Sequence, residues 1–419
     1  MRILSTFLVS LILVGMITPG SASHGPSGVQ AKFQSANPFV YKESSTNGVW
    51  YLRRGEAWAD KGWGVDVDQA GNIYLAGLEQ HFGELYTDIG IYKFSPEGIQ
   101  LWYTPWGRDY TDKAFVVAAS APYVYVGGLT QTEVWFNSAD MLILKLNAMG
   151  GAVIDEFTWD QGYGYEEVDG LVVEGDDIYV AGWTKSQTSQ DIGVLKLTTE
   201  LTPVYTTTWG SPGYDEANGQ IVVDTTSVYV AGYYNNHDAL LAAFDKNTLD
   251  YQWHTTWETP NAADALGMTS DGTHFYLVGL TLIGTNGQLF VLKYGPDHQL
   301  IWPTIWGGTG GESARAIAVD TDGNILVAGK TDSYGRGAND IAFLKFLPNG
   351  LLKWQRIWGG TAIDEAHGLI LDGELAYIAG ETFSFGAGQA DMLLIKADNY
   401  TGLMPWLGPF FNYIPVMTK

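Results

Sequence analysis

No cysteine occurs in the chain, so neither a disulfide framework nor a thiolate metal site is available. Stability has to come from buried apolar surface and hydrogen bonds. Basic residues are scarce: 22 Lys and Arg stand against 46 Asp and Glu, a formal charge of −24. Such a surface repels nucleic acid and anionic lipid, suits cations, and keeps copies apart as monomers. Long apolar runs are missing except at the N-terminus, where Arg2 precedes an apolar stretch from Ile3 to Ile17, followed by Pro19, Gly20 and Ser21-Ala22-Ser23. That stretch is shorter than the roughly 20 residues a bilayer crossing needs, and its layout is that of a secretory signal peptide. Residues 1–23 are expected to be removed and 24–46 to act as a linker, leaving a secreted or cell-surface protein with no membrane span. Catalytic signatures are absent as well. The seven histidines show no metal-ligand spacing, Gly-x-Ser-x-Gly does not occur, and neither calcium-loop motif is present. No cofactor is expected; calcium is compatible with the charge, but no residue is singled out for it.

What the chain has in abundance is glycine, 52 residues, and aromatic side chains, 14% of the total. That composition argues for short strands joined by tight turns. It also has repetition. The phrase Tyr-Leu-Ala-Gly ending at Gly77 recurs in variants ending at Gly128, Gly182, Gly232, Gly279, Gly329 and Gly380, with spacings of 51, 54, 50, 47, 50 and 51 residues. Within each copy the apolar residues alternate with period two, as in Val228-Tyr229-Val230-Ala231, which suits strands. The best-preserved copies resolve into four strands. Strand A is Gly368-Leu369-Ile370-Leu371, a turn at Asp372-Gly373 leads to strand B ending at Gly380, strand C runs from Asp391 to Lys396, and strand D corresponds to Leu352–Trp358 of the preceding copy. The expected fold is all-β: a seven-bladed β-propeller over residues 47–410, with four antiparallel strands per blade, about 50 residues per repeat, and a tail at 411–419.

The repeat resembles the SBBP family, whose name refers to the seven-bladed β-propeller. The resemblance lies in Trp306-Gly307-Gly308 and Trp358-Gly359-Gly360, the step Glu365-Ala366, the segment Val327-Ala328-Gly329-Lys330-Thr331, and Asp340 through Leu344-Lys345. It spans the whole propeller, with departures at Asp160, Ala243 and Glu258. It implies a secreted or surface-exposed bacterial or archaeal propeller and no particular reaction, since the repeat is a structural unit.

Two charges recur with the repeat. A lysine ends strand C, and an acid opens the next copy about twenty residues later. The expected ion pairs are Lys93 with Asp112, Lys145 with Glu166, Lys196 with Asp215, Lys293 with Glu312, Lys345 with Asp364, and Lys396 with Asp60, the last closing the disc. Lysine and acid are lost together at Ala243 and Ala263, which suggests contact. A second aspartate opens strand C, as at Asp340, where a short acceptor is expected to hold turn amides. Tryptophans 106, 159, 209, 257, 306 and 358 end successive D strands and read as packing. Trp50 and Trp406 begin two further D-like segments that compete for the seventh place. Asn399-Tyr400-Thr401 is a lone glycosylation sequon.

Function is expected where the copies differ, in the B-to-C loops. These carry Phe82, Tyr86, Trp135, Phe136, Trp183, Tyr233, Tyr234, Tyr334, Phe383 and Phe385. Aromatic rings among acidic groups suit stacking on sugars or gripping a peptide. The leading expectation is a non-catalytic binding or adhesion module for an extracellular glycan, peptide or surface protein. A passive envelope or matrix component is the first alternative, and a propeller enzyme (lyase, hydrolase or quinone-type dehydrogenase) the second.

Overall fold

A computed structural model describes residues 40–44, 48–55, 58–81, 85–132, 138–162, 164–185, 189–386 and 389–405. Every regular element in them is a strand, and the strands form seven antiparallel sheets arranged as the seven blades of a β-propeller. Blade 1 shows the plan: strand A Lys61–Val67, strand B Ile73–Gln80, strand C Thr87–Phe94 and strand D Gln100–Trp106, hydrogen-bonded in that order. The A strands of blades 2 to 7 begin at Asp112, Glu166, Glu216, Ala263, Glu312 and Asp364. No helix among the described residues is long and apolar enough to cross a membrane. The signal segment, Trp406 and the tail lie outside the described residues.

Seven apolar layers, each between two neighbouring blades, form the core. Blades 1 and 2, for instance, share Tyr74, Ile91, Trp102 and Trp106 with Val117, Val126 and Leu142. Flat rings fill the wedge that radiating sheets leave toward the rim. Trp106 and Trp358 are buried in these layers, and Trp209 and Trp257 pack against them from partly buried positions. Blade 7 takes its fourth strand from the other end of the chain. Trp50–Arg54 pairs antiparallel with Asp391–Asp398, setting Leu52 opposite Leu394. The segment expected as a linker adds a fifth strand, Val40–Ser44, on the outside of that one.

The expected lysine–acid pairs do not form, and the register explains why. The acid opening strand A faces the end of strand B, and so the beginning of strand C: Asp112 lies opposite Thr130, which lies opposite Asp140. Lysine comes five residues further along strand C, about 16 Å away at the other end of the blade. There Lys93 meets Asp68 at 3.4 Å, Lys145 meets Glu200 at 2.8 Å, Lys196 meets Asp177 at 2.9 Å and Lys345 meets Asp320 at 2.7 Å. Lys293 lies over the Tyr276 ring, and Lys396 donates to Pro96 O at 3.0 Å instead of reaching Asp60. Several lysines do clamp the next blade, but through its C-to-D turn: Lys93 reaches Ala148 O and Lys345 reaches Asn399 O. The acids fasten loops at the opposite face. Asp364 accepts from Gly360 N–H, Thr382 and Ser384, and Asp215 accepts from Ser211 and Asn235 N–H. Asp340 holds Arg336 and Gly337 amides, as a short acceptor at a turn should. Asn399 of the sequon is buried, its amide held by Gly373 O and its carbonyl by Lys345.

Candidate ligand site on the propeller axis

Strand A lines the axis, and in six blades its pairing to strand B skips one residue. The skipped residues are Trp63, Phe115, Asp169, Leu266, Arg315 and His367. In blade 4 the A strand is interrupted between Ala217 and Val222. A bulge tilts the local backbone and re-aims its side chain, and here the bulged residues all line one cavity of about 160 Å³ on the axis. Glycine after the bulge lets neighbouring A strands approach. A Cβ at Gly267 would stand 2.1 Å from Arg315 O, and one at Gly368 would stand 2.5 Å from Trp63 O.

The walls are chemically uneven. Trp63 stacks on His367 with centroids 4.1 Å apart and meets Phe115 edge-on at 5.4 Å. The Arg315 guanidinium lies 5.6 Å from the Trp63 ring. On the far side stand Asp169 and Glu167 of blade 3. Three buried polar atoms of the cavity wall have no hydrogen-bond partner: Trp63 Nε1, Asp169 Oδ2 and His367 Nδ1. Burial pushes the Asp169 carboxyl well above the usual carboxylate range; Glu167 adds to the shift and Arg315 opposes it. Burial also lowers the His367 imidazole, against the pull of Glu381, whose Oε1 lies 3.3 Å from His367 Nε2. The cavity therefore holds a carboxyl driven toward its neutral form and an uncharged imidazole.

Nearer the face where the A strands begin, the residues two positions earlier form a charged mouth. Lys61 pairs with Glu381 at 2.9 Å, and Glu365 is held by Lys330 at 2.9 Å and by Asn339 at 2.8 Å. Glu167 accepts from Trp183 Nε1 at 2.9 Å and from Tyr165 at 3.1 Å, with those two rings stacked 4.8 Å apart. Asp264 accepts from Asn218, and burial beside Glu216 lifts its carboxyl to about 6.

Of the loop aromatics expected to bind ligand, Phe82, Trp135 and Phe136 lie outside the described residues. Tyr234, Tyr334 and Phe385 fold back onto the tryptophan ending the preceding blade, at 5.7 Å from Trp209, 5.2 Å from Trp306 and 5.4 Å from Trp358. Tyr86 meets Tyr110 edge-on, and Phe383 stands exposed on its own blade. Trp183 and Tyr233 border the axial mouth, Tyr233 opposite Glu216 in the register. The structure thus brings two of the expected residues to the axis and uses three in packing.

Two groups of side chains come close enough to share a metal ion. Glu365, His367 and Glu381 are one, but Lys61 and Lys330 already neutralise its carboxylates. Asp140, Asp160 and Glu166 are the other, an all-oxygen set suited to a hard cation. Asp160 takes the place of glycine after the D-strand tryptophan. Where glycine is kept a side chain is excluded: a Cβ at Gly359 would stand 2.1 Å from Asp340 Oδ1.

Among known protein families, the SBBP β-propeller repeat matches residues 301–335, and a β-propeller domain of unknown function, DUF5122, matches residues 321–352. The chain is a seven-bladed β-propeller that carries a match to the SBBP repeat. No curated protein sequence matches it. Among solved structures, the propeller resembles hydrazine synthase of Kuenenia stuttgartiensis at 9% identity and TM-score 0.53, covering 77% of this chain and 94% of that one. It resembles the WD40 propeller domain of Doa1 at 11% identity and TM-score 0.50, covering 80% and 93%. The extracellular domain of BT4673 from B. thetaiotaomicron matches at 11% identity and TM-score 0.47; this chain spans 39% of it. At such identities the likeness shows the fold alone.

Proposed function

We propose that this propeller is a secreted or surface binding module whose ligand is a small polar molecule held in the axial cavity. The observation that carries this reading is the cavity itself, about 160 Å³ on the axis, with Trp63, Glu167, Asp169, Arg315 and His367 of four different blades in its lining. Size argues against a glycan or peptide chain there, since sites for drug-sized ligands run to roughly 300 Å³ and above. The loop aromatics lend a broad stacking face little support, because Tyr234, Tyr334 and Phe385 are engaged in packing. Binding is favoured over turnover because no Ser, Thr or Cys nucleophile is among the described residues lining the cavity.

A thermal-unfolding panel of sugars, polyols, carboxylates, amines and amino acids tests the proposal. At least one class should raise the midpoint of the native protein, and Leu266→Trp, which fills the cavity, should abolish that rise while still folding. A rise that survives in Leu266→Trp would move the ligand to the loops. A second reading, an acid–base enzyme of the lyase or isomerase kind, draws on one feature: a carboxyl driven neutral at Asp169 and an uncharged imidazole at His367 line the same cavity. Conversion of a bound panel compound, followed by NMR, would replace binding by catalysis.

A further inference from the structure

The axial cavity holds a guanidinium and a carboxyl group that do not meet. Arg315 makes no hydrogen bond or ion pair among the described residues; its guanidinium is met by the Trp63 ring face. Asp169 makes none either, and its Oδ2 is buried. They belong to blades 6 and 3, which face each other across a ring of seven. Arg315 is exposed to the channel while the Asp169 carboxyl is buried, so the desolvation cost of lacking a partner falls on Asp169. Here the bulged backbones hold them on separate walls. Trp63 lines the cavity against Arg315, and Glu167 lies two residues before Asp169 on the same strand. The cavity is therefore bipolar, with donors and positive charge on one wall and acceptors on the other.

We propose that the cavity binds a small zwitterion of the α-amino-acid class, its carboxylate on Arg315 and its ammonium on Asp169 and Glu167. This deepens the binding reading above and rests on it. The cavity, about 160 Å³, has room for a molecule of the size of glycine, alanine or serine. A monoanion would leave Asp169 unmet, and a monocation would leave Arg315 unmet; only a molecule carrying both charges completes the two walls together. A planar guanidinium suits a carboxylate, since its fork matches both oxygens. Phe115 and Trp63 close the space between with apolar surface. A ligand ammonium would also supply the counter-charge that the Asp169 carboxyl lacks.

Isothermal titration with four zwitterions (glycine, L-alanine, L-serine and L-proline) and with L-alaninamide, propionate and glycerol tests this. At least one zwitterion should bind, and removing either charge, as in alaninamide or propionate, should weaken binding tenfold or more. Arg315→Gln should lower affinity for that zwitterion by about 10- to 100-fold and hardly alter alaninamide; Asp169→Asn should do the same for the zwitterion and spare propionate. Because neither side chain has a hydrogen-bond or ion-pair partner among the described residues, neither variant should unfold at lower temperature than the native protein. Arg315→Lys, which keeps the charge and loses the fork, should fall between native and Gln. Glycerol or a single-charge compound binding as well as the zwitterions, with Arg315→Gln indifferent, would overturn the zwitterion assignment and leave the axial binding reading standing. Silence from every compound here and in the thermal panel would overturn both.

Discussion

Lys345 shows how a repeated charge acts in this fold. It is buried, pairs with Asp320 at 2.7 Å and donates to both oxygens of Asn399 in the neighbouring blade. Replacing it by methionine leaves Asp320 without its cation and two acceptors unmet, a cost of about 3 kcal/mol. A double-mutant cycle in urea should give a coupling of about 1 kcal/mol or more between Lys345→Met and Asp320→Asn. Lys345→Met and Asp364→Asn should simply add; coupling in that second cycle would restore the pairing that sequence spacing suggests. That spacing misleads because separation along the chain does not reveal at which end of a blade a residue lies. The site residues are legible in a different way. Glu365-Ala366-His367, Ser313-Ala314-Arg315 and Lys113-Ala114-Phe115 share a small middle residue followed by a side chain that changes from copy to copy. Variation inside an otherwise regular strand is the signal of the axis, and it is easily passed over when variation is sought in loops. The mutual distance of Asp169 and Arg315 is not legible, because it depends on closing the ring.

At the scale of elements, the seven repeats and their four strands follow directly from the Gly77-to-Gly380 series and the period-two alternation. Which terminal segment seals the disc does not. Trp50 and Trp406 begin similar runs, and the choice rests on pairing across the whole chain, which the structure gives to Trp50–Arg54 against Asp391–Asp398. Trp50, Tyr51 and Leu52 are buried there. A chain beginning after Arg54 would lose that layer and bare an apolar strand edge. It should unfold at markedly lower urea and self-associate in size-exclusion chromatography. An unchanged urea midpoint would mean that another segment can seal the ring. The bulges are the second device at this scale. They carry Trp63, Asp169, Arg315 and His367 to the axis while the rest of each A strand keeps its pairing, so the site can vary without cost to the blade.

Across the whole molecule, acidic groups accumulate where the blades meet. Burial lifts Asp112 and Glu166 to about 7, with Asp88 and Asp160 adding to it, and Asp264 to about 6. A carboxyl whose pKa is raised on folding binds its proton more tightly in the native state, so its contribution is full below about pH 4 and lost as pH rises through 7. The disc should therefore be more stable at pH 5 than at pH 8. A tenfold difference in proton affinity between the folded and unfolded chain corresponds to about 1.4 kcal/mol, so the unfolding temperature should differ by several degrees, and Asp112→Asn should flatten the slope. A midpoint that instead rises toward pH 8 would contradict the burial of these groups. The same closed ring creates the axial cavity, since no blade alone holds both Asp169 and Arg315. The most direct measurement is a crystal structure grown with the tightest-binding zwitterion of the titration series. The account expects the ligand on the axis, carboxylate toward Arg315 and ammonium toward Asp169; a ligand on the B-to-C loops, with only water between those two residues, would contradict it.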